Sequence, residues 1–206
     1  TLILSNLPAI TEGTLSFVAD GTNSLVDLRA LLQSLGTQRT VAFEVRNAGT
    51  IQMPLMTGGA TVNVTFKTNG VMPVAALGRL SGITVNGMTV NFPALTNFDS
   101  GFFSLTNAAT VTAPNLRSYV QGTTCAPDAW VVGGAGSVLD LSGITQLTGG
   151  TCAWLDLQAF NGGHLLLGNL TNILSGNVYA LASGAGSLID LHSLATFLNA
   201  ASLSKL

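Results

Sequence analysis

Charge is what this 206-residue chain has least of. Asp, Glu, Lys and Arg make up 8% of it, against about a quarter in ordinary soluble domains. The net charge is −2 and the seven basic residues are dispersed along the chain. That excludes an electrostatic nucleic-acid surface, which needs a basic cluster. It also argues against a lyase that grips an acidic sugar. The two cysteines, Cys125 and Cys152, have no histidine close to them in sequence, which argues against a metal centre. Apolar residues reach 47%, yet no uninterrupted run approaches a membrane span. The chain opens at Thr1 without a secretory leader, so it reads as a mature or excised segment of a longer exported protein.

What the chain has in quantity is glycine, 24 residues, set among short alternating apolar stretches. One stretch recurs: Ser24-Leu-Val-Asp-Leu-Arg-Ala-Leu-Leu32, Ser137-Val-Leu-Asp-Leu-Ser-Gly-Ile-Thr145 and Ser187-Leu-Ile-Asp-Leu-His-Ser-Leu-Ala195. Degenerate copies lie between these three. Taking Ser142 as a pivot, equivalents fall at Pro8, Arg29, Pro54, Pro73, Pro93, Pro114, Gly168 and His192. The residue before each pivot and the residue two after it are apolar in every unit. A polar residue mostly stands two before it. Inward, outward, inward is the period of a strand, and a corner follows. Each unit carries a second strand, such as Val41-Ala-Phe-Glu-Val45 or Leu155-Asp-Leu157, and a Gly- and Asn-rich turn.

The pattern predicts an all-β fold. It is a single-stranded parallel β-solenoid of about nine coils of 19–28 residues, forming one domain over residues 1–206. At roughly 4.8 Å per coil the rod would be about 40 Å long. An up-and-down β-sandwich is the alternative, but it does not explain why one motif returns in one phase. Residues 26–36 also read as a short helix. Leu194, Phe197, Leu198 and Ala201 lie at helical spacing, so residues 193–203 are expected to form a helical cap over the last coil.

Few residues invite chemistry. Thr124-Cys-Ala126 recurs as Thr151-Cys-Ala153, about one coil later, so Cys125 and Cys152 are expected to face each other as a disulfide. The motif aspartates Asp27, Asp140 and Asp190 resemble paired catalytic acids. In register, however, no two of them fall on neighbouring coils, and a turn-bonding role accounts for them. His164 and His192 fall in different rows, and no Ser-His-Asp set assembles. No catalytic, cofactor-binding or metal-ligating residues are assigned, and no cofactor is expected. One polar row remains: Thr50, Gln52, Thr89, Asn91, Thr110 and Thr112, a candidate binding surface for glycan or ice. Asn63-Val-Thr65 and Asn169-Leu-Thr171 match N-glycosylation acceptors.

With Gly134-Ala-Gly-Ser137 leading into Leu139-Asp-Leu-Ser-Gly-Ile-Thr145, the repeat resembles the β-helical repeats of exported bacterial surface proteins, adhesins and autotransporter passengers. The resemblance implies a right-handed β-helix at a cell surface with a structural or adhesive role. It carries no active site, and it weakens over residues 36–90, where the Asp-Leu motif is absent. The expected function is a non-enzymatic extracellular module: stalk, matrix component or adhesin. Alternatives are a carbohydrate-active or glycan-binding β-helix and an ice-binding solenoid. Expected partners are other copies end to end or surface glycans, with no nucleic acid and no membrane span.

Overall fold

The computed structural model describes residues 1–36, 39–123 and 125–198. Among them the chain forms 22 short strands and no helix. Every pairing between named strands is parallel. Each strand pairs with its equivalent one coil away, the arrangement of a β-solenoid. The coil has three sides. The chain passes the first side, turns, passes the second, turns, and returns along the third.

The third side is the most regular. It is one sheet of eight strands running from Leu15–Asp20 to Val178–Ser183 without a missing coil. The first side comes in two parts, a three-stranded sheet ending at Thr50–Gln52 and a five-stranded one beginning at Thr89–Asn91. The coil between them contributes only the single bridge Thr50↔Val71. The second side is sparser, with isolated bridges Gly58↔Arg79 and Arg79↔Asn97 linking its two-stranded and four-stranded parts. Eight coils are complete, and the first two sides of a ninth follow.

The alternation seen in the sequence is the alternation of burial. Val41–Arg46, Val62–Lys67 and Leu155–Phe160 each bury every second residue. In register, Phe17, Phe43, Val64, Ile83, Phe103, Trp130 and Leu157 form one inward row up the third side. Like meets like along it: Phe17 stacks on Phe43 at 5.5 Å, and Phe103 meets Trp130 edge to face at 5.6 Å. Each such side chain buried contributes about 1.5–3 kcal/mol, but only once its neighbours above and below are in place. A single coil cannot fold alone for that reason.

The corner after the first side is also uniform. The N–H of Leu31 donates to the Leu28 carbonyl, and the same three-residue closure recurs from Leu7 to Leu4, Met56 to Met53, Ile144 to Leu141 and Leu194 to Leu191. Two pivots fall elsewhere than the sequence phase placed them. Leu2 pairs with Val26, so the first corner centres on Ser5, not Pro8. Val71 pairs with Thr50, and the fourth corner closes from Leu77 to Val74, which centres it on Ala75, not Pro73. In both coils proline sits beside the bend without marking its centre. The burial agrees: Leu77 is in the core, whereas Ala75 is exposed.

The two helices read from the sequence do not form among the described residues. Leu25–Asp27 and Gln33–Ser34 are strands. Leu194 closes a corner, and Thr196–Phe197 pairs with Asn172 and Ile173 as the next rung of the second side. Helical spacing arose there because inward positions on both sides of a corner mimic it. Residues 199–203 of the expected cap lie outside the described residues.

Candidate functional site

The repeated motif is consumed by its corners. Ser24, Ser137 and Ser187 each donate a hydroxyl to the carbonyl four residues back, at Asp20, Gly133 and Ser183. Asp27, Asp140 and Asp190 each accept the N–H two residues on, from Arg29, Ser142 and His192. These are Asx turns, which offer the backbone a local partner where the strand ends. Asp27 is also paired with the Arg29 side chain, and that bond holds its carboxyl below the ordinary carboxylate range. His192 does the same for Asp190, with Nδ1 at 2.8 Å from Oδ1. Up the first side the sequence of neighbours is Asn91, Thr112, Asp140, Leu166, Asp190, so no two motif carboxylates stack.

Cys125 and Cys152 form a disulfide, their Cα atoms 4.9 Å apart on adjacent coils. Both lie in exposed loops between the second and third sides. Beside the first of these loops is an internal polar cluster that the sequence did not reveal. The fully buried Tyr119 donates to Asp128 Oδ2 at 2.9 Å, and Trp130 Nε1 donates to the Gly101 carbonyl at 3.1 Å. Asp128 occupies a row that is Leu155 on the next coil, so it points inward. Burial pushes its carboxyl up, against the opposing pull of the Tyr119 bond. Burial also pushes the Tyr119 phenol far up, with Asp128 adding to it. Tyr119 and Trp130 lie fully buried, so the cluster is closed to solvent on the side of its rings.

The expected polar row is present only in pieces. Thr89 pairs with Thr110 and Asn91 with Thr112, whose hydroxyl donates to Asn91 Oδ1 at 2.7 Å. Thr50 and Gln52 stand apart from them, across the coil where Val71 is 56% exposed. A shallow groove of about 500 Å³ opens there, lined by Arg29, Thr50, Pro54, Val71, Met72 and Pro73. Both glycosylation triplets have architectural uses. Asn63 Oδ1 accepts the Ser81 hydroxyl within the third side. Asn169 Nδ2 donates to the Ser142 carbonyl and Thr171 Oγ1 to the Thr145 carbonyl, each reaching one coil back.

The outer face of the third side carries the remaining chemistry. On its early coils Arg46 bridges Asp20 at 2.9 Å and Glu44 at 3.2 Å, and Lys67 reaches the same Glu44 at 3.2 Å. Asp20 is held below the ordinary range by the Asn47 amide and by Arg46. On its late coils rings replace charges. Trp154 and Tyr179 meet at 6.4 Å and 86°, and Asp156 lies directly beside Tyr179 in register. Burial alone raises the Asp156 carboxyl. Among the described residues no three of His, Cys, Asp or Glu converge as metal ligands, and no helix is long and apolar enough to cross a membrane.

Comparison with protein-family models, with curated proteins and with solved structures finds no match to this chain.

Proposed function

We propose that this chain is a non-catalytic β-solenoid module of an exported protein, serving as a structural or adhesive element at a cell surface or in a matrix. The observation that carries this reading is the fate of the repeated motif. Its Ser, Asp and apolar positions are all committed to closing corners and filling the core. What recurs is architecture, and selection for a rod accounts for it without a site. The disulfide agrees with an oxidising compartment outside the cytoplasm. The low charge and the three extended faces suit lateral contact with another surface.

The test is paired. The whole chain is incubated with a panel of neutral and acidic polysaccharides, and reducing ends or unsaturated products are measured. The same preparation is assayed for retention on immobilised cell-wall and matrix material. Retention without product formation is the expected result. Product formation that tracks the protein through purification would replace this reading with a carbohydrate-active one. Failure on both assays would leave the adhesive part without support and overturn it. The glycan row offers a weaker second reading, since only Thr89, Asn91, Thr110 and Thr112 form a contiguous patch.

A further inference from the structure

The eight strands of the third side present three outward rows, and the way carboxylates are satisfied there changes along the rod. On the first three coils each acid has a cation: Asp20 has Arg46, and Glu44 has both Arg46 and Lys67. On the seventh coil Asp156 has none among the described residues, and burial is the single cause of its shift. Its surroundings explain the burial. Ala129 precedes it in the row and Tyr179 follows it. Trp154 stands two residues before it on the same face, because Leu155 between them points into the core. Trp154 and Tyr179 then meet at right angles, 6.4 Å apart.

A carboxylate beside two perpendicular rings has the elements of a cation receptor. The ring faces attract positive charge through their quadrupoles, and the carboxylate supplies the directional bond. On the first three coils of this face a cation from the same or a neighbouring coil meets each carboxylate, and among the described residues Asp156 has no such cation. We propose that Trp154, Asp156 and Tyr179 form a recognition corner for an alkylammonium group, namely a lysine side chain of a partner protein. The ammonium sits on the Asp156 carboxylate and the methylene stem lies along the rings. The 86° angle between the rings favours this ligand over a sugar. A pyranose lies flat on one ring face or across coplanar rings, whereas a methylene chain with a compact head fits a corner. The site stands whether or not the rod as a whole is adhesive, since it rests on these three side chains.

The chain contains two tryptophans, and Trp130 is fully buried, so it serves as an internal control. Nα-acetyl-lysine methylamide is titrated into the whole ¹⁵N-labelled chain, and the two indole N–H signals and the backbone amides are followed. The expected result is saturable movement of the Trp154 indole and of the amides around Asp156 and Tyr179, with the Trp130 indole unmoved. The Nα,Nε-diacetyl probe, which lacks the charge, produces no saturable movement. Asp156→Asn weakens binding by about tenfold while the Trp130 signal shows the fold intact. Glucosamine and its N-acetyl form serve as competing probes. The proposal is overturned if the lysine probe leaves Trp154 unmoved, if the diacetyl probe binds equally, or if a sugar binds more tightly. Retention of full affinity in Asp156→Asn overturns it as well.

Discussion

The early and late coils of the third side share one backbone and one inward row, yet their outer faces have little in common. Phe43 on the second coil and Trp130 on the sixth both lie fully buried in that inward row. Outside, the early coils carry a ladder of ion pairs from Asp20 to Lys67. The late coils carry Trp154 and Tyr179 beside Asp156, which has no cation partner among the described residues. The lesson is that stacking constrains what faces in far more than what faces out. Each inward side chain touches its equivalents above and below, so a change at one coil costs its neighbours as well. An outward side chain meets solvent, and where it bonds to a neighbouring coil, as Lys67 does to Glu44 and Thr112 to Asn91, the pair differs from coil to coil.

If the core is equivalent throughout, truncating it should cost the same at either end. Phe43→Ala removes a ring stacked at 5.5 Å on Phe17, and Trp130→Ala removes one that contacts both Phe103 and Tyr119. Each should cost about 3–5 kcal/mol by urea denaturation. Trp130→Ala also strips the Gly101 carbonyl of its indole donor, which places it at the upper end. A loss below about 1 kcal/mol at one site only would break the equivalence and show that one half folds with little help from the other.

The next effect is confined to the late coils. The Cys125–Cys152 bridge closes a loop of 27 residues, worth about 3.5 kcal/mol by chain entropy. Reduction should therefore lower stability by up to that amount. Amide hydrogen exchange should speed up first around residues 118–160 and leave Leu15–Asp20 and Val41–Arg46 protected. Uniform loosening along the whole rod would mean that the coils behave as one cooperative unit.

How much of this was legible before the structure follows the same division. The parallel stack was legible because inward rows repeat: Leu141, Leu167 and Leu191 stand in one phase whatever lies between them. The disulfide was legible because Thr-Cys-Ala recurs at coil spacing. The corners at Ser5 and Ala75 were misplaced because nearby prolines offered a more conspicuous anchor, while Leu4, Leu7, Val74 and Leu77 kept the apolar phase equally well. The helix at the end was misread because Leu194 and Phe197 flank a corner. The late aromatic face was legible only in register: aligning Leu155-Asp-Leu157 with Val178-Tyr-Ala180 sets Asp156 beside Tyr179, but nothing in the repeat marks Trp154 as their neighbour.

The smallest prediction has the sharpest form, because it turns on sign. Glu44→Gln on the early coils removes the shared acceptor of Arg46 and Lys67, and it should destabilise by less than about 1 kcal/mol. Added salt should shrink even that, since exposed pairs are screened. Asp156→Asn on the late coils should act the other way. Burial raises the Asp156 carboxyl above its unfolded value of 3.8, so its charged form is disfavoured in the fold. That penalty is absent below pH 3.8, enters as pH rises through the folded value, and is complete at neutral pH. The amide should therefore stabilise at neutral pH, and its advantage should vanish on acidification. Asp20 runs opposite: its lowered carboxyl contributes stability above 3.8 that is lost as pH falls through its folded value. Denaturation midpoints for Glu44→Gln and Asp156→Asn at neutral pH and near pH 3 decide the matter. Two destabilising amides at neutral pH would mean that Asp156 already has a cation partner within the chain, and the contrast between the two halves of the face would then disappear.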